Sequence, residues 1–220
     1  MSLRERVEQK SHDLIWEIAD QLNIDVPFFP EVYPLSPDMT FPSLCLPSRY
    51  RSIFLKAKKT KRSMYLHKPK IILSGRGTNS KGEEEGHFLH DVVTSTRKSN
   101  RTVADSFAIH ALEEMWGFFC SRLVNTRRVN RFAKYGDFLP KDNSNLVHVL
   151  DCLKDSLDSD RDFVEFFVYQ QGYGLGSRLA LAYDRGEIPL SEIRKSFSES
   201  LNGDAEPLLK FLRLKYEVLN

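Results

Sequence analysis

Between Lys81 and Asp91 the chain reads K-G-E-E-E-G-H-F-L-H-D, with three glutamates and two histidines inside eight positions. Residues three and four apart are neighbours on a helix, so Glu83, His87 and His90 share one stripe if this segment is helical. Glu83 and His87 then stand one turn apart, the spacing at which two side chains of one helix can ligate a single metal ion. Glu84 stands beside them, where a general base is needed. The pattern is that of a zinc-hydrolase helix, H-E-x-x-H, with glutamate at the first ligand position.

A catalytic zinc takes three protein ligands and keeps a fourth position for water. The third ligand has to come from elsewhere in the chain. Phe107–Val124 is strongly apolar but carries one acidic pair, Glu113 and Glu114. A carboxylate in such a helix is costly to bury unless it is paired or binds a metal. Glu114 is the first choice, because Gly117 three residues on leaves room for a close helix crossing, and Glu113 is the second. A bound ion brings the pKa of its water toward about 7, and Glu84 would take that proton and deliver it to a leaving amine. His90, three residues past His87, is a substitute ligand. His110, one turn before Glu114, would orient a ligating carboxylate.

These residues come in the order strand, E-E-x-x-H helix, then a helix with a glutamate pair. Over Ile71–Val124, about a quarter of the chain, this order resembles the gluzincin metallopeptidases in their minimal, single-domain form. The resemblance implies that Glu83 occupies the first histidine's place and Glu84 that of the general base. It implies that His87 is the second histidine, with Glu114 or Glu113 as the third ligand. It further implies a zincin-like fold, zinc or another divalent metal as cofactor, and a peptide or protein substrate. The departure falls on a ligand. Two carboxylates and one imidazole form a harder, more anionic donor set, which suits Mn or Fe as well as Zn. Such a set leaves bound water less acidic, so the expectation includes an inactive, degenerate descendant of the family.

The elements that must position these groups can be read outward from the motif. Ile71 and Ile72 make Lys70–Ser74 a strand, and the Gly- and Ser-rich exit 75–82 leads into the motif helix. Ser63–Leu66 and Tyr50–Lys56 are two further strand candidates. Residues 2–22 predict an amphipathic helix, with Val7, Leu14, Ile15, Ile18 and Leu22 at helical spacing. Asn23–Pro47 carries six prolines, which exclude a regular helix or a central strand. Its interleaved Phe28, Phe29, Tyr33 and Phe41 need burial, so the stretch predicts an ordered arm. After a polar loop, Thr102 or Asp105 caps the apolar helix. Shorter helices are expected over 145–157, 161–170, 171–184 (ended by Gly186), 191–200 and 206–219. The fold class is α+β and helix-rich, with a small β-sheet packed on the metal-motif helix. Residues 1–48 form the N-terminal helix and arm, and 49–220 the zincin-like domain.

At 220 residues the chain is long enough to bury a real core. No apolar run approaches the roughly 20 residues that span a bilayer, which excludes a membrane partner of that kind. Cys45, Cys120 and Cys152 are odd in number and form no C-x-x-C pair, so neither a disulfide framework nor a cysteine metal site is indicated. With a charged N-terminus in place of a secretory signal, the expected location is cytoplasmic.

Charge is unevenly spread. Met39–Gly82 holds eleven Lys and Arg and no acid, while the whole chain nets +2, so the remainder carries minus nine. The simpler reading is the solvated faces of strands lying against an acidic element. The functional reading, a rival to the peptidase, is a non-catalytic binding module whose basic face (residues 49–81) takes nucleic acid or an acidic protein. Residues 127–134 hold a second, smaller basic run. Gly172, Gly174 and Gly176 open a helix without the preceding strand of a dinucleotide site, so they indicate close helix packing. Tyr173 is a candidate hydrogen-bond donor to a transition state. No base is positioned to activate Cys120 or Cys152.

Overall fold

The computed structural model describes residues 1–75, 82–94, 103–124, 172, 176, 179, 180 and 182–200. The expected helices at 145–157, 161–170 and 206–219, the loop 95–102, the basic run 127–134, Cys152 and Tyr173 lie outside them.

Helix α1 (Leu3–Leu22) starts on a capping box: Glu5 N–H donates to the Ser2 hydroxyl, and the Ser2 N–H donates to the Glu5 carboxylate. It buries Ile15, Ile18 and Leu22 of the predicted stripe together with Ala19, while Val7 and Leu14 are half-buried. Asn23, in the left-handed region at φ 55°, ends it.

The chain then forms strand β1 (Glu31–Pro34), two 3-10 turns (Phe41–Leu44 and Ser48–Tyr50), helix α2 (Arg51–Thr60), and strands β2 (Met64–Leu66) and β3 (Ile71–Ser74). The sheet order is β1-β3-β2, with β1 parallel and β2 antiparallel to β3. β1 lies inside the proline-rich stretch yet respects its constraint. It is an edge strand, and Pro34, which has no N–H to give a ladder, is its last residue.

One expectation is overturned. Tyr50–Lys56 is not a strand but the start of α2, which runs on to Thr60. Tyr50, Phe54 and Ala57 are the buried residues, at intervals of four and three, so the apolar stripe has helical period. A window ending at Lys56 leaves out Ala57, the position that completes the stripe.

Alternation in the strands builds two cores. Val32, Tyr65 and Ile72 face the core that contains α1, while Leu66, Ile71 and Leu73 face the one that contains α2. Central strand β3, buried on both faces, is accordingly an unbroken apolar run, Ile71-Ile72-Leu73. The first core is completed by Phe88 and Leu89 of helix α3 (Glu83–Thr94), Met115, Trp116, Phe119 and Cys120 of helix α4 (Val103–Leu123), and Ile193 of helix α5 (Leu190–Ser200). The fold is thus helix-rich α+β, with α1 and α3 on one side of a small sheet and α2 on the other. Since α4 begins at Val103, Asp105 lies within the helix rather than capping it; Thr102, the other cap candidate, lies outside the described residues.

The described residues of 172–184 are helical, and the chain turns at Gly186 as predicted: Gly186 N–H donates to Tyr183 O, and Glu187 N–H to Ala182 O. Arg122 holds this segment to α4 through both oxygens of Asp184. Among the described residues, no helix is long and apolar enough to cross a membrane.

Candidate metal centre

The first two turns of helix α3 are enclosed on every side. All residues from Gly82 to His90 are buried, although they include three glutamates and two histidines. Successive residues of a helix point about 100° apart, so each glutamate of the run faces a different neighbour.

Glu85 serves the helix start and its attachment to α1. Its carboxylate accepts the Gly82 N–H at 3.0 Å, one half of a capping box, and the Ser11 hydroxyl of α1 at 2.7 Å. Burial raises its carboxyl pKa; Ser11, the Glu85 and Gly82 N–H groups and Lys10 pull it back. Glu84 faces the sheet and accepts the Tyr65 N–H at 2.6 Å. Two turns on, Asp91 shares that face and accepts Lys70 Nζ and, at 2.7 Å, the Tyr65 hydroxyl. His67 Nδ1 lies 3.7 Å from the same oxygen. Phe88, between the two acids, packs edge-on to the Tyr65 ring. Burial alone would raise the Asp91 carboxyl, but its bonds to His67, Lys70 and Tyr65 outweigh that and bring its pKa down to about 2.

Glu83 faces the third neighbour, α4. The two helices run antiparallel and close. Gly82 lies against Val124 and Ser121, Gly86 against Cys120 and Gly117, and the His87 ring against Gly117. A Cβ on Gly86 would fall 2.6 Å from that of Cys120, and one on Gly117 would fall 2.6 Å from His87 Cε1. Both glycines are therefore conditions of the crossing, which seats His87 beside Glu114: Nε2 to Oε2 is 3.7 Å.

Glu83, His87 and Glu114 offer one ligand atom each, all within 4.8 Å of one another. Bonds of about 2.0–2.1 Å at a tetrahedral zinc set its donors about 3.3 Å apart, so the imidazole–carboxylate pair needs to close by only a few tenths of an ångström. The donor set of two carboxylates and an imidazole fits a divalent cation of borderline to hard character, such as Zn, Mn or Fe.

The other predicted site residues fall around this group. Glu113 is half-buried, outside the group, with its charge acting on the Tyr65 phenol. His90 is buried at 3 % exposure, also outside it. The His110 side chain lies outside the description. Glu84 is outside the group, its carboxylate turned to the Tyr65 N–H of the sheet; burial first, then the charges of Glu83, Glu85 and Glu114, push its carboxyl well above the usual carboxylate range. Cys120 is buried, which raises its thiol pKa and leaves it inert. Of the glycine run, Gly176 packs closely, since a Cβ there would meet Met115 O at 2.7 Å, and Gly174 lies outside the described residues.

Sequence reasoning overlooked two groups. Ser11 carried a signal: it lies four residues after Val7 and four before Ile15, a hydroxyl on the apolar stripe. Asp91 carried little, and Lys70 was counted with the basic run although it is bound to Asp91 in the structure.

Compared with known protein families, with curated proteins and with solved structures, the chain finds no match in any of the three.

Proposed function

We propose that Glu83, His87 and Glu114 bind one divalent cation, and that the chain is a metal-dependent peptidase of zincin type, in working or degenerate form. The observation that carries this reading is the convergence of three ligand atoms from two helices, at a crossing whose glycines are spaced to admit the imidazole. A cation bound there supplies Lewis acidity toward a carbonyl group and toward water.

The chain's own residues would divide the remaining work. His87 is held by Gly117 with Nε2 turned to Glu114. Glu84 has one oxygen committed to the Tyr65 N–H, which leaves the other to accept a proton. In the metal-free chain burial and neighbouring charge hold this carboxyl above the usual carboxylate range, and a cation held by Glu83 and Glu114 would draw it back toward the ionised form that a general base needs. The substrate class, peptide or protein, comes from the resemblance to the gluzincins. The cytosol is the proposed location, a reading supported by the free thiols of Cys45 and Cys120.

The test is elemental mass spectrometry of protein purified without chelator, followed by calorimetric titration with Zn, Mn and Fe(II). One equivalent is expected in the wild type and none in Glu83→Ala or His87→Ala. Glu84→Gln should keep the metal and lose any peptide hydrolysis. A wild type that neither carries nor takes up metal refutes the proposal. Metal binding without hydrolysis in either protein identifies the degenerate form.

A further inference from the structure

We propose that the outer face of α2 is a docking surface for the phosphate backbone of double-stranded DNA. As a helix, this segment gathers charge that a strand would split between two faces. Lys56 and Lys59 are exposed on the side opposite the buried Phe54 and Ala57, and Arg51 is exposed on its flank. Exposed Arg49 precedes them, and exposed Lys61 and Arg62 follow at the C-terminal end. The six cations extend over about 15–20 Å at 1.5 Å per helical residue, and there is no acid between Met39 and Gly82. Two neighbours in sequence are engaged differently: Lys58 donates to Pro37 O and Met39 O, and Lys70 binds Asp91. Among the described residues, Arg51, Lys56, Lys59, Lys61 and Arg62 make no ion pair. The simpler reading, in which these cations answer an acidic neighbour, finds no such neighbour among the described residues.

A row of cations with no ion pair among the described residues suits a partner of regular negative charge, and nucleic acid releases counterions on meeting one. The other side of α2 argues against a bilayer. Its apolar face is buried in the second core, and the single exposed apolar side chain on its outer side, Leu55, is too little to enter lipid. The outward residues between the cations, Ser52, Leu55 and Thr60, include no aromatic ring, whereas single-strand binding relies on bases stacking on such rings. The narrow major groove of A-form RNA excludes a helix, and that of B-DNA admits one between its phosphate rows.

Binding of a fluorescent DNA duplex of about 20 base pairs, followed by anisotropy between about 50 and 200 mM NaCl, tests this. With four to six phosphates neutralised, log K should fall with log salt at a slope of about −4 to −5. Lys56→Gln/Lys59→Gln should make the slope shallower by about 2, with the helical dichroism of the wild type, whereas Arg6→Gln on α1 should leave it unchanged. Adding chelator should have no effect, which separates this surface from the metal centre. No binding at the lowest salt, or an unchanged slope in the double variant, overturns the proposal. So does stronger binding of single-stranded DNA, duplex RNA or polyglutamate than of duplex DNA.

Discussion

Gly117→Ala separates a glycine kept for its backbone from one kept for the space it leaves. In an ordinary helix interior this change stabilises by about 0.8–1.0 kcal/mol, because alanine is the better helix former. Here the added methyl would sit 2.6 Å from His87 Cε1, 2.7 Å from Nε2 and 2.9 Å from Nδ1. Ordinary contact begins near 3.4 Å, so the ring has to retreat by about 0.8 Å, more than the roughly 0.2 Å tolerance of a metal–ligand bond. Overpacking of this kind costs about 1–3 kcal/mol. Set against the helix gain, the net change runs from about zero to a loss of about 2 kcal/mol. Metal affinity should fall at least about tenfold, since the imidazole leaves its place beside Glu114. Urea denaturation of the metal-free protein gives the first quantity, and calorimetric titration with zinc gives the second. If Gly117→Ala gains about 1 kcal/mol and binds metal like the wild type, the crossing does not seat His87 as described.

Asp91→Asn should cost about 1–2 kcal/mol at neutral pH, its depressed pKa discounted for partial exposure. A carboxyl lowered on folding stabilises above its unfolded pKa, about 3.9, and loses that contribution as pH falls through about 2. The gap between variant and wild type in urea denaturation should therefore close between about pH 4 and pH 2. Ser11→Ala leaves buried Glu85 one donor short and should cost about 1–3 kcal/mol, a loss that equilibrium unfolding would reveal; no change would mean that α1 and α3 are joined by apolar packing alone. The glycines of the neighbouring helix should differ in kind. Gly186→Ala, at φ +70° with nothing within 4 Å, should cost about 1 kcal/mol for its left-handed backbone. Gly176→Ala, which meets the rigid Met115 carbonyl at 2.7 Å, should cost about 1–3 kcal/mol. Comparison of their melting temperatures tests the order.

Much of this protein is determined by short-range pattern. The buried stripe of α1, the apolar run of β3, the motif helix and the turn at Gly186 are local statements, each expressing one periodicity or one backbone preference. Glu83 and His87 share a helix, so their spacing alone makes them neighbours. Other features depend on what packs where. Arg51–Thr60 is helical because Tyr50, Phe54 and Ala57 have one core to fill, and a shorter window of the same letters fits a strand equally well. Spacing to His87 already sets Glu83 apart from the two glutamates that follow it. The partners of all three are decided only when α1, the sheet and α4 close around α3, since the 100° between successive residues turns each toward a different neighbour. The choice of Glu114 over Glu113 for the three-residue group is likewise a matter of rotation at the crossing, where Gly86 and Gly117 set how closely the two helices meet. Composition shows that Lys70 is a cation; only the tertiary structure shows that it belongs to Asp91, while Lys56 and Lys59 face outward.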